Sequence, residues 1–454
     1  MRRIAAGLAL VCIFCLLWLP ACGWKDSTPV LRPIIIVDID TLRADHLGLY
    51  GYPRPTSPNL DAFAQEAIVF DWAFSQAPNT APSQTSIMTG LYPSTHGMIT
   101  DGDRVPDHAV TLAEALAAVG YKTAGFHDGA YMRNAFNIGQ GFALYNNSRR
   151  KGLAAIGPKA TRWLHEHHLE TFLLLIHTYD VHAPYAPPAP FDSAFTAGLE
   201  APSPGFSPTA ERMNEIRLSR YTDSPVELAP NDLEYAKALY DGGILFVDDW
   251  FGSFMETIRE LGLDERAIIV VISDHGEEFL EHASVLHEKL YATVTRVPLM
   301  IRLPDGARAG RIDRVVETID LMPTLLSLVG VKIPDAVQGR SLLSLIDGSA
   351  DREPHFAFGE TPFYGESRFI ATDDVRVQIS MQGRQTELYR YRDDPLEQID
   401  RSSAETEKME GLLRALEGWQ AMAAAATLES GTESDEAELD PETLDDLKAL
   451  GYIQ

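Results

Sequence analysis

The sequence predicts an α/β fold, a mostly parallel sheet between helices with a small antiparallel-sheet subdomain towards the C-terminus. Three observations predict it. Residues 34–37, 172–176 and 267–272 are continuous apolar runs, the pattern of strands buried on both faces of a parallel sheet. Each run leads straight into chemistry-bearing residues: Asp38 and Asp40, then His177, Asp180 and His182, then Asp274 and His275. Ligands collect at strand carboxyl ends in such sheets, so these distant stretches are expected to meet.

The chain has 454 residues, 45% hydrophobic and 23% charged, enough for one large α/β domain and a smaller unit. Its net charge of −27 argues against nucleic acid as a partner and against adsorption to anionic lipid. The same acidic field repels anionic substrates. An anion site here therefore needs local positive charge, most simply metal ions.

Arg2 and Arg3 precede the apolar stretch 4–19, which breaks at Pro20-Ala21-Cys22. This predicts a secretory signal over residues 1–21, with Cys22 placed as in a bacterial lipoprotein cleavage box; an uncleaved signal anchor is the alternative. Cys12 and Cys15 leave with the signal, so Cys22 remains alone and no disulfide framework is expected. The expected product is exported and lipid-anchored in the bacterial envelope, on the outer membrane or the periplasmic face, with residues 22–33 as a tether.

The remaining elements follow in order. Residues 58–70 read as a helix. Residues 79–90 read as a loop feeding a helix, with Pro82 suited to the first helical position and Gly90 to the stop. Thr80, just ahead, sits where backbone N–H groups and the macrodipole favour an anion; it is either a nucleophile or an ordinary cap. Helices are expected over 111–119, 235–261, 319–326 and 405–425. The Pro-, Ala- and Ser-rich stretch 183–231 reads as a long loop over the site and the holder of specificity. Residues 355–392 alternate short strand-like runs. Residues 429–438 form an acidic, solvated linker, and Leu444, Leu447, Leu450 and Tyr452 can dock a last short helix. The expected division is a main domain over 34–350, a C-terminal subdomain over 351–425 and an acidic tail over 426–454.

The stretch Thr80-Ala81-Pro82-Ser83-Gln84, closing with Met88-Thr89-Gly90, resembles the sulfatase signature (Cys or Ser)-x-Pro-Ser-Arg-x-x-x-Leu-Thr-Gly, of the alkaline phosphatase superfamily. The segment Asp40-Thr41-Leu42-Arg43 is similar to that family's first metal motif, His182-Ala183-Pro184-Tyr185 to its His-x-Pro-Tyr, and His287 falls where a Lys is usual. The resemblance spans about residues 33–400. It departs at Thr41, Thr80, Gln84 and Asp128, and the last two remove positive charge from the anion pocket.

The resemblance implies Thr80 as nucleophile, without formylglycine, because threonine cannot be converted to it. It implies a divalent metal (Mn, Zn or Ca) on Asp40, Asp274 and His275, with Asp38 a candidate addition. His182 and His287 would position the ester or protonate the leaving group, with His127 a third candidate. His96, His177 and Asp180 are either site or structural residues. The expected substrate is an anionic ester, a sulfated or phosphorylated glycan or lipid headgroup, with a phosphoryl or phosphonyl ester favoured over sulfate. The rival is a non-catalytic sulfatase-like lipoprotein that binds an envelope glycan or protein partner.

Overall fold

The computed structural model describes residues 30–100, 102–149, 151–349, 354–362, 366–380, 385–430 and 435–450. The expected signal, Cys22, most of the tether, residues 431–434 and Tyr452 lie outside the described residues. Among the described residues, no helix is long and apolar enough to cross a membrane.

Eight strands form the central sheet: β1 (Ile34–Ile39), β2 (Ile68–Phe74), β3 (Lys122–His127), β4 (Leu144–Asn147), β5 (Phe172–Thr178), β6 (Ile268–Ile272), β7 (Arg296–Arg302) and β8 (Gly310–Glu317). Their order is β8-β2-β7-β6-β1-β5-β3-β4. Only β7 runs antiparallel to its neighbours, β2 and β6; the other pairs are parallel. The three predicted apolar runs are β1, β5 and β6. They are adjacent and buried throughout, because neither face offers a polar side chain to water until the carboxyl ends.

Alternation along β1 divides the core. Ile35, Val37 and Ile39 pack into one apolar cluster, beneath helices α2 (Gly152–His167) and α3 (Pro230–Glu260). Ile34 and Ile36 pack into the other, with residues of α1 (Thr80–Thr89) and α4 (Leu321–Leu328). The period-2 pleat thus assigns Asp38 to the α1 face.

Four strands, Ala357–Thr361, Ser367–Ala371, Arg376–Ser380 and Gln385–Tyr389, make a separate antiparallel sheet. Helix α5 (Thr406–Ser430) covers it with Leu416 and Trp419 against Ile370, Val377 and Leu388.

Four expectations need correction. The stretch 183–231 is not all loop, because Ala210–Ser219 forms a helix that buries Ala210, Met213 and Ile216. The helix starting at Pro58 stops at Ala64, and residues 68–70 belong to β2; Ile68-Val69-Phe70 favours the pleated, doubly buried position between β7 and β8. Pro82 is the third residue of α1, not the first, where its missing N–H still leaves no intrahelical bond unmade. The acidic linker is not wholly solvated. Asp435–Glu436 pairs with Asp103–Arg104, and Ala437 and Leu439 pack on the core. The docking of a last helix is as expected: α6 (Pro441–Ala449) buries Leu447 completely.

Candidate active site

Helix α1 is buried along its whole length although six of its ten residues are polar. Its hydroxyls satisfy themselves on carbonyls one turn back: Ser83 to Asn79 at 2.7 Å, Thr85 to Ala81 at 2.8 Å and Thr89 to Thr85 at 2.6 Å. That local bonding lets a polar helix occupy the core. Gly90 ends it at φ 67 and donates to Ser86, and a Cβ there would also meet Val337 at 2.8 Å. Thr80 is the first helical residue, and its hydroxyl points at the carboxyl end of β1.

There the hydroxyl donates to Asp40 Oδ2 at 3.0 Å and lies 3.3 Å from His275 Nε2. Tyr179 OH donates to it at 3.2 Å. The loops that bring these groups together are pinned by Ser273, whose Oγ accepts from Leu42 N at 3.0 Å and donates to His275 O at 2.7 Å. Thr41 lies between, at a positive φ of 58, a conformation a β-branched residue adopts only under constraint. Its carbonyl accepts from Tyr240 OH at 2.7 Å.

Three carboxylates share one arrangement: one oxygen of each is bonded, the other has no partner. Asp40 Oδ2 takes the Thr80 hydroxyl, Asp274 Oδ1 the His275 N–H at 2.9 Å, and Asp38 Oδ2 the Gln84 amide at 2.5 Å. Asp40 Oδ1, Asp274 Oδ2 and Asp38 Oδ1 are buried orphans, as are both ring nitrogens of His177. Ligand atoms from Asp40, Asp274 and His275 lie within 4.8 Å of one another, and a second group of the same kind joins Asp38, His177 and Asp274. Orphaned anionic oxygens beside imidazole nitrogen, away from water, fit a divalent cation.

The electrostatics are those of a site short of positive charge. Burial, then the Asp274 charge, raises Asp40 well above the carboxylate range, and burial raises Asp38 to about 7. Burial also pushes on Asp274, but the His275 and His177 imidazoles hold it down at about 2. Burial lowers His182 to about 3, helped by His287, and lowers His287 well below the imidazole range, helped by His275.

His287 and His182 stand beside this centre, the His287 ring 4.5 Å from that of His275 and 5.1 Å from that of His182. His182 in turn stacks on Tyr179 at 5.0 Å. His127 is not in this cluster: it pairs in register with His177, packs on Tyr145 and lies 3.3 Å from the Asn147 amide. His96 accepts the Met98 N–H and contacts Ser86 at 3.0 Å beneath α1. Asp180 holds the start of α2 through Leu153 N at 2.7 Å.

Sequence reasoning passed over Tyr179 and Glu277. Tyr179 sits one residue past the β5 end, a position that could have flagged it. Glu277 is buried, 3.3 Å from His287 Nδ1 and with one orphan oxygen; burial raises it to about 7. A cleft of about 520 Å³ opens beside Tyr179 and His182, with Arg149 and Lys151 at its wall and Ala183, Pro184 and Pro188 from the Pro-rich stretch.

The sequence profile of the Sulfatase family matches residues 32–331. The chain belongs to the sulfatase family. A second profile, N-sulphoglucosamine sulphohydrolase, C-terminal, matches residues 281–417. The chain is 28% identical over 401 residues to the ulvan-active sulfatase of Formosa agariphila, covering 80% of this chain and 75% of that one. Its fold is similar to that of BT4656, solved with its substrate D-glucosamine-2-N,6-O-disulfate, at a TM-score of 0.75 and 18% identity over 87% of this chain and 98% of that one. It is similar also to the phosphonate monoester hydrolase of Silicibacter pomeroyi, at a TM-score of 0.69 and 21% identity over 87% and 96%. The protein is therefore a sulfatase-family ester hydrolase, with the large mixed sheet and four-stranded C-terminal sheet of that fold.

Proposed function

We propose that this sulfatase-family enzyme cleaves an anionic ester with Thr80 as nucleophile, and takes phosphoryl or phosphonyl esters ahead of sulfate esters. The observation that carries the reading is the Thr80 hydroxyl, held at a buried helix N-terminus against Asp40 and His275. Threonine cannot become formylglycine, so the side chain must act as the hydroxyl it is.

Asp40, Asp274 and His275 would hold the cation, and their orphan oxygens support that assignment. A divalent cation supplies the positive charge that makes a nearby hydroxyl acidic and draws in an anion. The mixed nitrogen and oxygen donors favour Mn or Zn over Ca. Thr80 Oγ1 attacks phosphorus and its proton passes along the 3.0 Å bond to Asp40 Oδ2. The bond between phosphorus and the leaving oxygen breaks, and that oxygen takes up a proton from solvent in the cleft. Water then attacks phosphorus and breaks its bond to Thr80; the proton held on Asp40 returns to Thr80 Oγ1, and the proton lost by water goes to solvent. The N–H groups at the start of α1 face the ester oxygens, and His182 and His287 hold the ester on the cleft side.

The neighbour solved with a sulfated sugar supports a sulfated glycan as the substrate class; a phosphorylated glycan or a lipid headgroup follows from the Thr80 reading alone. The N-terminal pattern supports an exported, lipid-anchored protein.

The test is an assay of the full chain, purified in detergent, on nitrophenyl sulfate, phosphate monoester, phosphodiester and phosphonate, with Mn, Zn, Mg and Ca. Turnover of a phosphorus ester that vanishes in Thr80→Ala supports the reading. Turnover of sulfate alone contradicts it.

A further inference from the structure

Three carboxylates, Asp38, Asp40 and Asp274, meet in a volume closed to water, each 0% exposed. Among the described residues no lysine or arginine pairs with any of them; the nitrogen groups beside them are the imidazoles of His177 and His275. One divalent cation would leave such a set net negative, deep in the protein and facing an anionic substrate. That is unfavourable on both counts.

The sheet places a second donor group where the remaining charge lies. Asp38 on β1 is in register with His177 on β5, and in-register residues of parallel neighbours share a face. His177 is 0% exposed, and neither of its ring nitrogens has a hydrogen-bond partner. Its Nε2 stands 3.7 Å from Asp40 Oδ2 and 4.0 Å from Asp274 Oδ2. Those separations are too long for hydrogen bonds and suit groups that share an ion between them. An imidazole left bare in the core loses its hydration with nothing in exchange. Gln84 adds a fourth donor: its amide nitrogen is spent on Asp38 and its Oε1 is an orphan. At this position the signature carries an arginine, whose fixed charge would answer Asp38; an uncharged amide does not.

We propose that Asp38, His177 and Asp274 hold a second divalent cation, with Gln84 Oε1 as an added donor, so that Asp274 bridges a binuclear centre. Nitrogen and carboxylate donors together select Zn or Mn. Two divalent cations against three carboxylates leave the centre with one net positive charge, matched to an anionic ester. The inference concerns metal content and stands apart from the identity of the nucleophile.

The test is metal content of the full chain after loading with Zn(II) and dialysis, with electron paramagnetic resonance of the Mn(II)-loaded protein alongside. Two equivalents per chain are expected, falling to one in His177→Gln and in Asp38→Asn and staying at two in Thr80→Ala. The unmutated protein should show an exchange-coupled Mn(II) pair, a readout that does not depend on any variant folding. A single equivalent with an isolated six-line spectrum overturns the proposal, as do two equivalents that persist in both His177→Gln and Asp38→Asn.

Discussion

Thr80 Oγ1 donates to Asp40 Oδ2 across 3.0 Å, joining a helix start to a strand end 40 residues earlier. The bond orients the hydroxyl and leaves Asp40 Oδ1 for a cation. Thr80→Ala is expected to lower kcat by about 10⁴-fold or more, the scale for loss of a nucleophile, while costing only about 1 kcal/mol of stability for one lost bond. Thr80→Ser should retain measurable turnover. Steady-state kinetics beside urea unfolding separates the effects, and equal losses in both variants would point to a packing role.

Tyr179 donates to the same oxygen at 3.2 Å. Removing its hydroxyl in Tyr179→Phe should lower kcat roughly tenfold, the worth of about 1.4 kcal/mol, with the melting temperature nearly unchanged. An unaltered kcat would remove Tyr179 from the machinery.

Chelation should destabilise the fold as well as silence it. Without a cation the orphan oxygens of Asp38, Asp40 and Asp274 face one another in the core. A cation present at 100-fold over its Kd contributes about 2.7 kcal/mol. Differential scanning calorimetry with a chelator, then with Zn or Mn restored, should show a fall in melting temperature that reverses; an unchanged melt would deny a resident ion.

A second carboxyl pair, remote from the site, predicts the pH dependence of stability. Burial, then Asp320, raises Glu317 well above its usual range, and burial raises Asp320 to about 6. Tyr92 OH donates to both Glu317 oxygens, at 3.0 and 2.9 Å. For a raised carboxyl, the folded state keeps a proton that the unfolded chain releases near pH 4. The contribution is full below about pH 4 and is lost as pH rises through about 6. Glu317→Gln should therefore flatten the decline in urea midpoint over that window; a parallel decline would assign the effect elsewhere.

Leu447 anchors the last helix at 0% exposure, while Arg149 pairs with Glu442 at 2.5 Å and Arg133 bonds Asp446. Leu447→Ala should cost about 2–5 kcal/mol, read as a shift in urea midpoint. A loss below 0.5 kcal/mol, the scale of an exposed-surface substitution, would show the helix to be loosely held.

Much of this architecture was legible because burial on both faces leaves a plain mark. The runs at 34–37, 172–176 and 267–272 became β1, β5 and β6, and of the residues that end them Asp38, Asp40, His177, Asp274 and His275 do meet, while Asp180 turns away to hold α2. Other features carried no such mark. The stretch 68–70 follows a helical pattern without a break, and only its place between two strands decides its conformation. Lys122–His127 holds Lys and Gly and does not read as a core strand, yet pairing with β5 on one side and β4 on the other puts it in the sheet. The partnership of Asp38 with His177 is a matter of register, which depends on which strands become neighbours. Gln84 reads in sequence as a lost arginine; in the fold it is the donor that fixes Asp38.

The most direct test of the central claim is acid quench of the enzyme during turnover of a phosphorus ester, followed by peptide mapping. Phosphorus on Thr80 in the peptide containing residues 79–90, absent from Thr80→Ala, is the predicted result. Turnover that persists in Thr80→Ala, or a label on another residue, would contradict it.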